Sequence, residues 1–149
     1  MLAITVDDQA FRAYMKLLRE RLSDMTPVME SIGARLEARI SARFETQSDP
    51  LGSAWHPWAA STVKTYPKDG NKRILDRYGD MLRSLNWQAN ESSVQVGFGA
   101  PYAVYHEFGT KRMPRRGLLF AAPDQSQLSG DDEVAILDLL SEWLAKAES

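Results

Sequence analysis

The chain has 149 residues, of which 44% are hydrophobic and 26% are charged, the composition of an ordinary globular protein with one sizeable core. The formal net charge of −2 excludes a global attraction to nucleic acid or acidic membranes, so any basic recognition must be local. The absence of cysteine excludes disulfides, thiol catalysis and thiolate metal ligands. We expect one domain spanning residues 1–149.

The N-terminus is not expected to direct the chain into or across a membrane. Residues 1–11 contain a short apolar run without the basic flank of a signal peptide. No apolar stretch approaches the roughly 20 residues that cross a bilayer. We therefore expect a soluble chain, made in the cytoplasm, without a membrane partner.

A helical hairpin is predicted over residues 7–47. Its first helix follows a plausible N-cap at Asp7 or Asp8 and ends near Met25. The apolar residues of this helix recur three and four positions apart, which places them on one face. They are Phe11, Tyr14, Met15, Leu18, Leu22 and Met25.

The second helix of the hairpin is predicted to begin at Thr26 and Pro27, because Thr caps helices well and Pro is tolerated in the first turn. It is expected to end near Gln47. Its apolar face comprises Val28, Met29, Ile32, Leu36, Ile40 and Phe44. Gly33 lies within that face, where the lack of a side chain would allow a neighbouring helix to approach closely.

A loop region is predicted over residues 48–73. Its first part is rich in turn residues and carries Trp55 and Trp58. A short helix is expected at residues 61–66. The polar sequence PKDGNK at residues 67–72 is expected to form a flexible loop tip.

Residues 74–122 are predicted to combine a helix with a small antiparallel sheet. The helix covers residues 74–85, where apolar residues recur at helical spacing, namely Leu75, Tyr78, Leu82 and Leu85. A β-hairpin is predicted next, around a polar turn at residues 90–93. Its alternating apolar residues are Trp87, Val94, Val96 and Phe98.

Three further elements complete the predicted fold. A short helix opens at Pro101 and ends at Gly109, and residues 118–122 form another strand. A C-terminal helix covers residues 131–147, with an apolar side made of Ile136, Leu137, Leu140, Trp143 and Leu144. This order predicts the α+β class, with a long N-terminal helical hairpin, a small antiparallel sheet and a C-terminal helix.

The residues give no support for catalytic or metal-binding chemistry. His106 and Glu107 occur in the sequence HEFGT, which lacks the second histidine that a zinc-binding HExxH helix requires. The other histidine, His56, lies in a separate loop. The paired carboxylates fall where helix N-termini are predicted, and capping explains them. We therefore expect no enzyme, no cofactor, no metal and no small-molecule substrate.

Residues suited to contacts are concentrated in residues 94–120. Aromatic residues and arginines are enriched at the energetic centres of interfaces. We predict a subunit or partner interface here, anchored by aromatic residues and rimmed by cations. The interface residues are Tyr102, Tyr105, Phe108, Lys111, Arg112, Arg115 and Arg116. A second docking surface is predicted beside the loop tip, at Lys64, Lys68, Lys72 and Arg73.

Three arginines, Arg35, Arg39 and Arg43, are spaced by four and line one edge of the second predicted helix. One interpretation is a solvated edge whose arginines pair with nearby glutamates, namely Glu30, Glu37 and Glu45. The other is a basic stripe that faces another subunit or passing DNA. Together with residues 111–116, the stripe would serve an alternative function, that of a small nucleic-acid-binding accessory protein.

Four short motifs occur in an order that resembles the phage virion morphogenesis (tail completion) family of Mu-like and other tailed phages and their prophages. They are FETQSDPLGSAWHPWAASTV at residues 44–63, ILDRYGDMLRSL at 74–85, VQVGFGAPYAVYHEFGT at 94–110 and MPRRGLLFA at 113–121. The likeness covers over half of the chain. Tyr78 and Gly117 depart from the family pattern, in which a small polar residue and an aromatic residue or Pro are usual.

The resemblance implies a structural virion protein that acts in tail completion and head–tail joining, as a ring at the neck or upper end of the tail. The implied partners are copies of the chain itself, the tail tube and neck or connector proteins, with passing DNA as a non-specific contact. The protein would be located in the virion after synthesis in the bacterial cytoplasm.

Overall fold

Two long helices, a β-hairpin and a C-terminal helix make up most of the regular structure. The computed structural model describes residues 9–65, 74–75 and 79–146. In chain order the elements are α1 Gln9–Ser23, α2 Thr26–Thr46, α3 Ala60–Thr65, α4 Asp80–Arg83, β1 Leu85–Ala89, β2 Val94–Phe98, α5 Ala103–Phe108, a 3₁₀ turn at Pro123–Gln125 and α6 Gly130–Ala145. The predicted α+β class is confirmed, with helices at the N-terminus, a two-stranded antiparallel sheet and a C-terminal helix.

The turn between α1 and α2 is closed by an aspartate. Thr26 does not cap α2 as predicted but is its first residue, and the Asp24 carboxylate accepts hydrogen bonds from its hydroxyl (2.6 Å) and its amide (3.1 Å). These two bonds hold the pKa of Asp24 below its ordinary value. Pro27 lies in the first turn, as predicted. The helix ends at Thr46, and Gln47 follows in the left-handed region with a φ of 51°.

The helix α2 is the element on which the rest of the fold packs. It contacts both strands and α6, and its buried apolar residues are Val28, Ile32, Ile40 and Phe44. Gly33 on this face meets Trp87 of β1, since a Cβ atom built at Gly33 would lie 2.6 Å from Cδ2 of the indole. Gly33 therefore allows an aromatic ring of the sheet to approach α2, whereas the sequence predicts the close approach of a helix.

The predicted β-hairpin is confirmed. β1 and β2 are antiparallel, and their register pairs Trp87 with Val96. Partly buried side chains alternate with exposed ones along β1, as expected for a strand that packs on α2 with one face. Asn90 closes the turn, because its Oδ1 accepts hydrogen bonds from the amides of Ser92 (2.9 Å) and Ser93 (2.8 Å).

The helix predicted over residues 74–85 is wrong. Leu75 and Gly79 have positive φ angles of 62° and 81°, which a right-handed helix cannot contain. The helix α4 is therefore a single turn, and β1 begins shortly after it. Tyr78 and the predicted loop tip at residues 67–72 lie outside the described residues.

The strand predicted over residues 118–122 is also wrong, and an irregular segment takes its place. Glu107 of α5 accepts hydrogen bonds from the amides of Leu118, Leu119 (3.1 Å) and Phe120 (2.8 Å). A neighbouring strand would otherwise supply acceptors for these donors. A side-chain carboxylate, rather than a third strand, therefore holds this segment.

The core is centred on two aromatic rings. Phe44 and Trp55 meet edge to face, with ring centroids 5.3 Å apart and an interplanar angle of 83°. The indole N–H of Trp55 donates a hydrogen bond to the carbonyl oxygen of Gly117 (2.9 Å). The other buried members of the cluster are Met81, Ala103 and Leu118. The elements α4 and α5 and the irregular segment therefore close over the C-terminal end of α2.

The outer helices bury less of their apolar faces than the sequence predicts. Met15 and Leu22 of α1 are exposed, and so is Leu137 of α6. The two helices meet where Arg21 donates to the carbonyl oxygen of Trp143 (3.0 Å) and lies 5.4 Å from the centroid of its ring. Across the described ranges, none of the helices combines the length and the apolar character that a membrane span requires.

Gly33→Ala is expected to destabilise the protein by about 1–3 kcal/mol, because the added methyl group would overlap the Trp87 indole. The higher helix propensity of Ala offsets up to about 1 kcal/mol of this cost. Urea denaturation measures the free energy of unfolding. Gly130→Ala is the matched control, since a Cβ atom there meets nothing within 4 Å. Equal stability of the two variants would contradict the close packing of Trp87 on Gly33.

Glu107→Gln is expected to lower the free energy of unfolding by about 1–3 kcal/mol. The amide side chain keeps one acceptor oxygen but turns an NH2 group toward a backbone donor. Glu45→Gln changes an exposed carboxylate of α2 and should alter stability by no more than about 0.5 kcal/mol. If both variants unfold at the same urea concentration, the carboxylate does not hold the irregular segment.

Candidate functional site

The short helix α5 presents large apolar side chains to solvent. Tyr102, Val104, Tyr105 and Phe108 are 42%, 48%, 56% and 49% exposed, respectively. The helix is held from its other side by Ala103 and Glu107, which are buried. We name the four exposed side chains the α5 surface.

Three members of the α5 surface belong to the interface predicted from sequence, and the structure adds Val104. Val104, Tyr105 and Phe108 lie on one side of a helix, so their spacing in the sequence already indicated that Val104 belongs with the other two. The helix ends at Gly109, whose φ is 74° and whose amide donates to the carbonyl oxygen of Tyr105 (2.8 Å). This left-handed residue sends the chain directly into the basic loop.

Two cations of that loop, Lys111 and Arg112, are exposed at a tight turn next to the α5 surface. Thr110 orders the turn, because its hydroxyl oxygen accepts hydrogen bonds from the amides of Arg112 (3.2 Å) and Met113 (3.1 Å). Neither cationic side chain has an ion pair within the described part of the chain. We name Lys111 and Arg112 the basic turn.

The other two cations of the predicted interface, Arg115 and Arg116, are bonded to the chain itself. Arg115 donates to the carbonyl oxygens of Glu107 (2.8 Å) and Phe120 (2.6 Å). Arg116 donates to the carbonyl oxygens of His56 (2.8 Å) and Pro57 (2.9 Å). A charge reversal at either position would therefore remove internal hydrogen bonds as well as surface charge.

Gly117 makes room for one of these arginines. A Cβ atom at this position would lie 2.7 Å from Nη2 of Arg115. The guanidinium of Arg115 therefore occupies the space that a side chain at position 117 would need, which explains the glycine at this position. The sequence showed the departure at Gly117 but not its partner, because the contact depends on the path of the loop.

A cavity of about 450 Å³ lies beside the α5 surface, lined in part by Trp58, Tyr102, His106 and Arg116. Nδ1 of His106 is buried and finds no hydrogen-bond partner among the described residues. Burial, and secondly the charge of Arg116, lower the pKa of His106, so its ring is neutral at neutral pH. Among the described residues, no three His, Asp or Glu side chains are grouped so that they could hold a metal ion.

The arginine edge of α2 is folded against α6, which differs from both interpretations of the sequence. Arg39 and Arg43 both donate hydrogen bonds to the Asp132 carboxylate, and the bond from Arg39 is 2.7 Å long. Arg43 also donates to the carbonyl oxygen of Leu118. Asp132 is only 1% exposed and does not cap α6. Ser129 is the capping residue, since its Oγ accepts a hydrogen bond from the amide of Asp132 (3.2 Å). Two of the three arginines are thus structural, and Arg35 remains exposed.

The second predicted docking surface is described only in part. Lys64 is exposed on α3. Lys68, Lys72 and Arg73 lie outside the described residues.

Comparison with known proteins identifies the family. The sequence profile of the phage virion morphogenesis family matches residues 6–145. The Mu-like prophage FluMu G protein 2 of Haemophilus influenzae is 24% identical over 144 residues, which cover 96% of each chain. No solved structure matches the chain. Because the family profile extends over nearly the whole sequence, the chain belongs to the phage virion morphogenesis family.

Proposed function

We propose that this protein is a structural component of the phage virion that acts in tail completion and head–tail joining, as a ring at the neck or upper end of the tail. Its family supports a role in virion morphogenesis, and its relative is named as a Mu-like prophage protein. The observation that carries the proposal is the exposed α5 surface, which the basic turn follows in the chain after only two residues.

The α5 surface has the chemistry of an interface anchor. Three large apolar side chains of one six-residue helix, and that of its N-cap residue Tyr102, are exposed together. Exposed apolar patches are typical of contact sites. Two of the four are tyrosines, which contribute strongly to binding because they bury much area with little loss of conformational freedom. Glu107 holds the helix from beneath, so the patch is fixed before a partner arrives.

The proposed partners are other copies of the chain in the ring, the tail tube and the neck or connector proteins, with DNA as a non-specific contact. A ring requires that one patch of the chain fit a different patch on the next copy. The role is non-catalytic in this proposal and uses neither a cofactor nor a small-molecule substrate, since the groups that converge at the α5 surface are contact groups.

The alternative function, nucleic-acid binding, is less well supported. Two arginines of the proposed stripe, Arg39 and Arg43, are engaged by Asp132. The basic turn supplies only two exposed cations, whereas sequence-independent DNA binding usually depends on many phosphate contacts.

Tyr105→Ser combined with Phe108→Ser is expected to block virion completion while the protein stays folded. Loss of two interface anchors should reduce complete particles at least about tenfold. The variant would be expressed in a lysogen that lacks the gene, and complete virions counted by electron microscopy and plaque titre. Leu51→Ser, at an apolar residue that is 65% exposed in another loop, is the control. Normal particle numbers with the double variant would contradict the proposal.

A further inference from the structure

The C-terminal helix α6 carries an apolar centre on its outward face. Val134 and Leu137 are 55% and 60% exposed, and they lie on the same side of the helix because they are three residues apart. Acidic residues flank this centre on both sides, and all four are exposed: Asp131, Glu133, Asp138 and Glu142. The helix contains no lysine or arginine. We name Val134, Leu137 and the four acidic residues the α6 surface.

The α6 surface complements the α5 surface in both apolar character and charge. Each has exposed apolar side chains at its centre, and the charges beside them are negative on α6 and positive at the basic turn. Asp138 and Glu142, like Lys111 and Arg112, have no ion pair within the described part of the chain. An apolar centre with complementary charges at its rim is the usual anatomy of a protein interface.

The charges of α1 make it a poorer match for the α5 surface. This helix also exposes apolar side chains, namely Met15, Leu17 and Leu22. Its charged residues are four cations and a single glutamate, in the sequence QAFRAYMKLLRERLS. The basic turn has the same sign, and placing like charges together opposes binding. The α6 surface is therefore the better partner within this chain.

We propose that the α5 surface and basic turn of one copy pack against the α6 surface of a second copy. The inference rests on the proposed ring and names its subunit contact. The two surfaces belong to different elements, which pack against different parts of the fold. In a ring this contact is heterologous, because each surface meets the other surface on a neighbouring copy, and the last copy of an open chain retains one unused surface that can bind a further copy.

A charge exchange between the two surfaces tests the contact directly. One variant carries Lys111→Glu and Arg112→Glu, and the other carries Asp138→Lys and Glu142→Lys. Each alone is expected to weaken self-association at least about tenfold in sedimentation velocity, because like charges then face each other. A chain with all four substitutions is expected to self-associate again, because the two charges have exchanged places.

Mixing the two double variants provides a second readout. Each variant keeps the surface that the other lacks, and the two reversed surfaces also carry opposite charges. The mixture is therefore expected to form assemblies in which the two variants alternate, although each variant alone associates weakly. These assemblies should weaken as salt is added, because exposed charges are screened. Wild-type chain should form assemblies of similar size, since both of its surfaces are intact.

Controls use charges that lie outside both surfaces. Arg35→Glu, and separately Glu30→Lys with Glu45→Lys, change exposed residues of α2 and should leave association unchanged. Wild-type chain that stays monomeric at every concentration, a mixture of the two double variants that does not associate, or equal loss of association in the controls would each overturn the proposed contact.

Failure of the contact is distinguishable from failure of the proposed function. If the double variants assemble normally in solution while Tyr105→Ser with Phe108→Ser still blocks virion completion, the contact is wrong and the function stands. If the charge exchange behaves as expected but none of these variants affects virion completion, the contact stands and the virion role is wrong.

Discussion

The backbone of one buried segment needs hydrogen-bond partners, and the arrangement of the fold follows from how they are supplied. Leu118 is 1% exposed, so an unpaired amide or carbonyl there would cost about 1–3 kcal/mol. Its amide donates to the Glu107 carboxylate, and its carbonyl oxygen accepts from Arg43. Arg43 also reaches Asp132. Three charged side chains, one from each helix, therefore join α5, α2 and α6 around a single stretch of backbone that belongs to no sheet.

The same arrangement fixes what the surface displays. Glu107 and Ala103 are the buried residues of this short helix, and Val104, Tyr105 and Phe108 of the same helix are left exposed. Arg115 closes the loop behind the helix through two backbone carbonyl oxygens. A helix of six residues would not be stable alone in water. The exposed apolar patch therefore depends on the internal hydrogen bonds that hold this helix.

Features with a local cause could be predicted from the sequence, and those that depend on distant partners could not. The ends of α2 and the β-hairpin follow from periodicity, turn residues and proline, and the predictions were correct to within a residue or two. The apolar run at residues 118–122 has the sequence of a strand. Its irregular structure could not be predicted, because the acceptor of its amides, Glu107, belongs to a separate helix. Arg43 likewise pairs with a carboxylate 89 residues away, which helical spacing cannot reveal.

The candidate site divides in the same way. The exposure of Tyr102, Tyr105 and Phe108 follows from the pattern of one short helix. The different environments of Lys111 and Arg115 could not be predicted in this way. The sequence shows four cations close together, and only the path of the loop determines which of them face solvent and which donate to carbonyl oxygens. One consequence of Glu107 concerns the order of synthesis. Its acceptor oxygens are filled by residues 118–120, which leave the ribosome after α5 does. A nascent chain therefore cannot hold the α5 surface in its final orientation until these later residues have emerged.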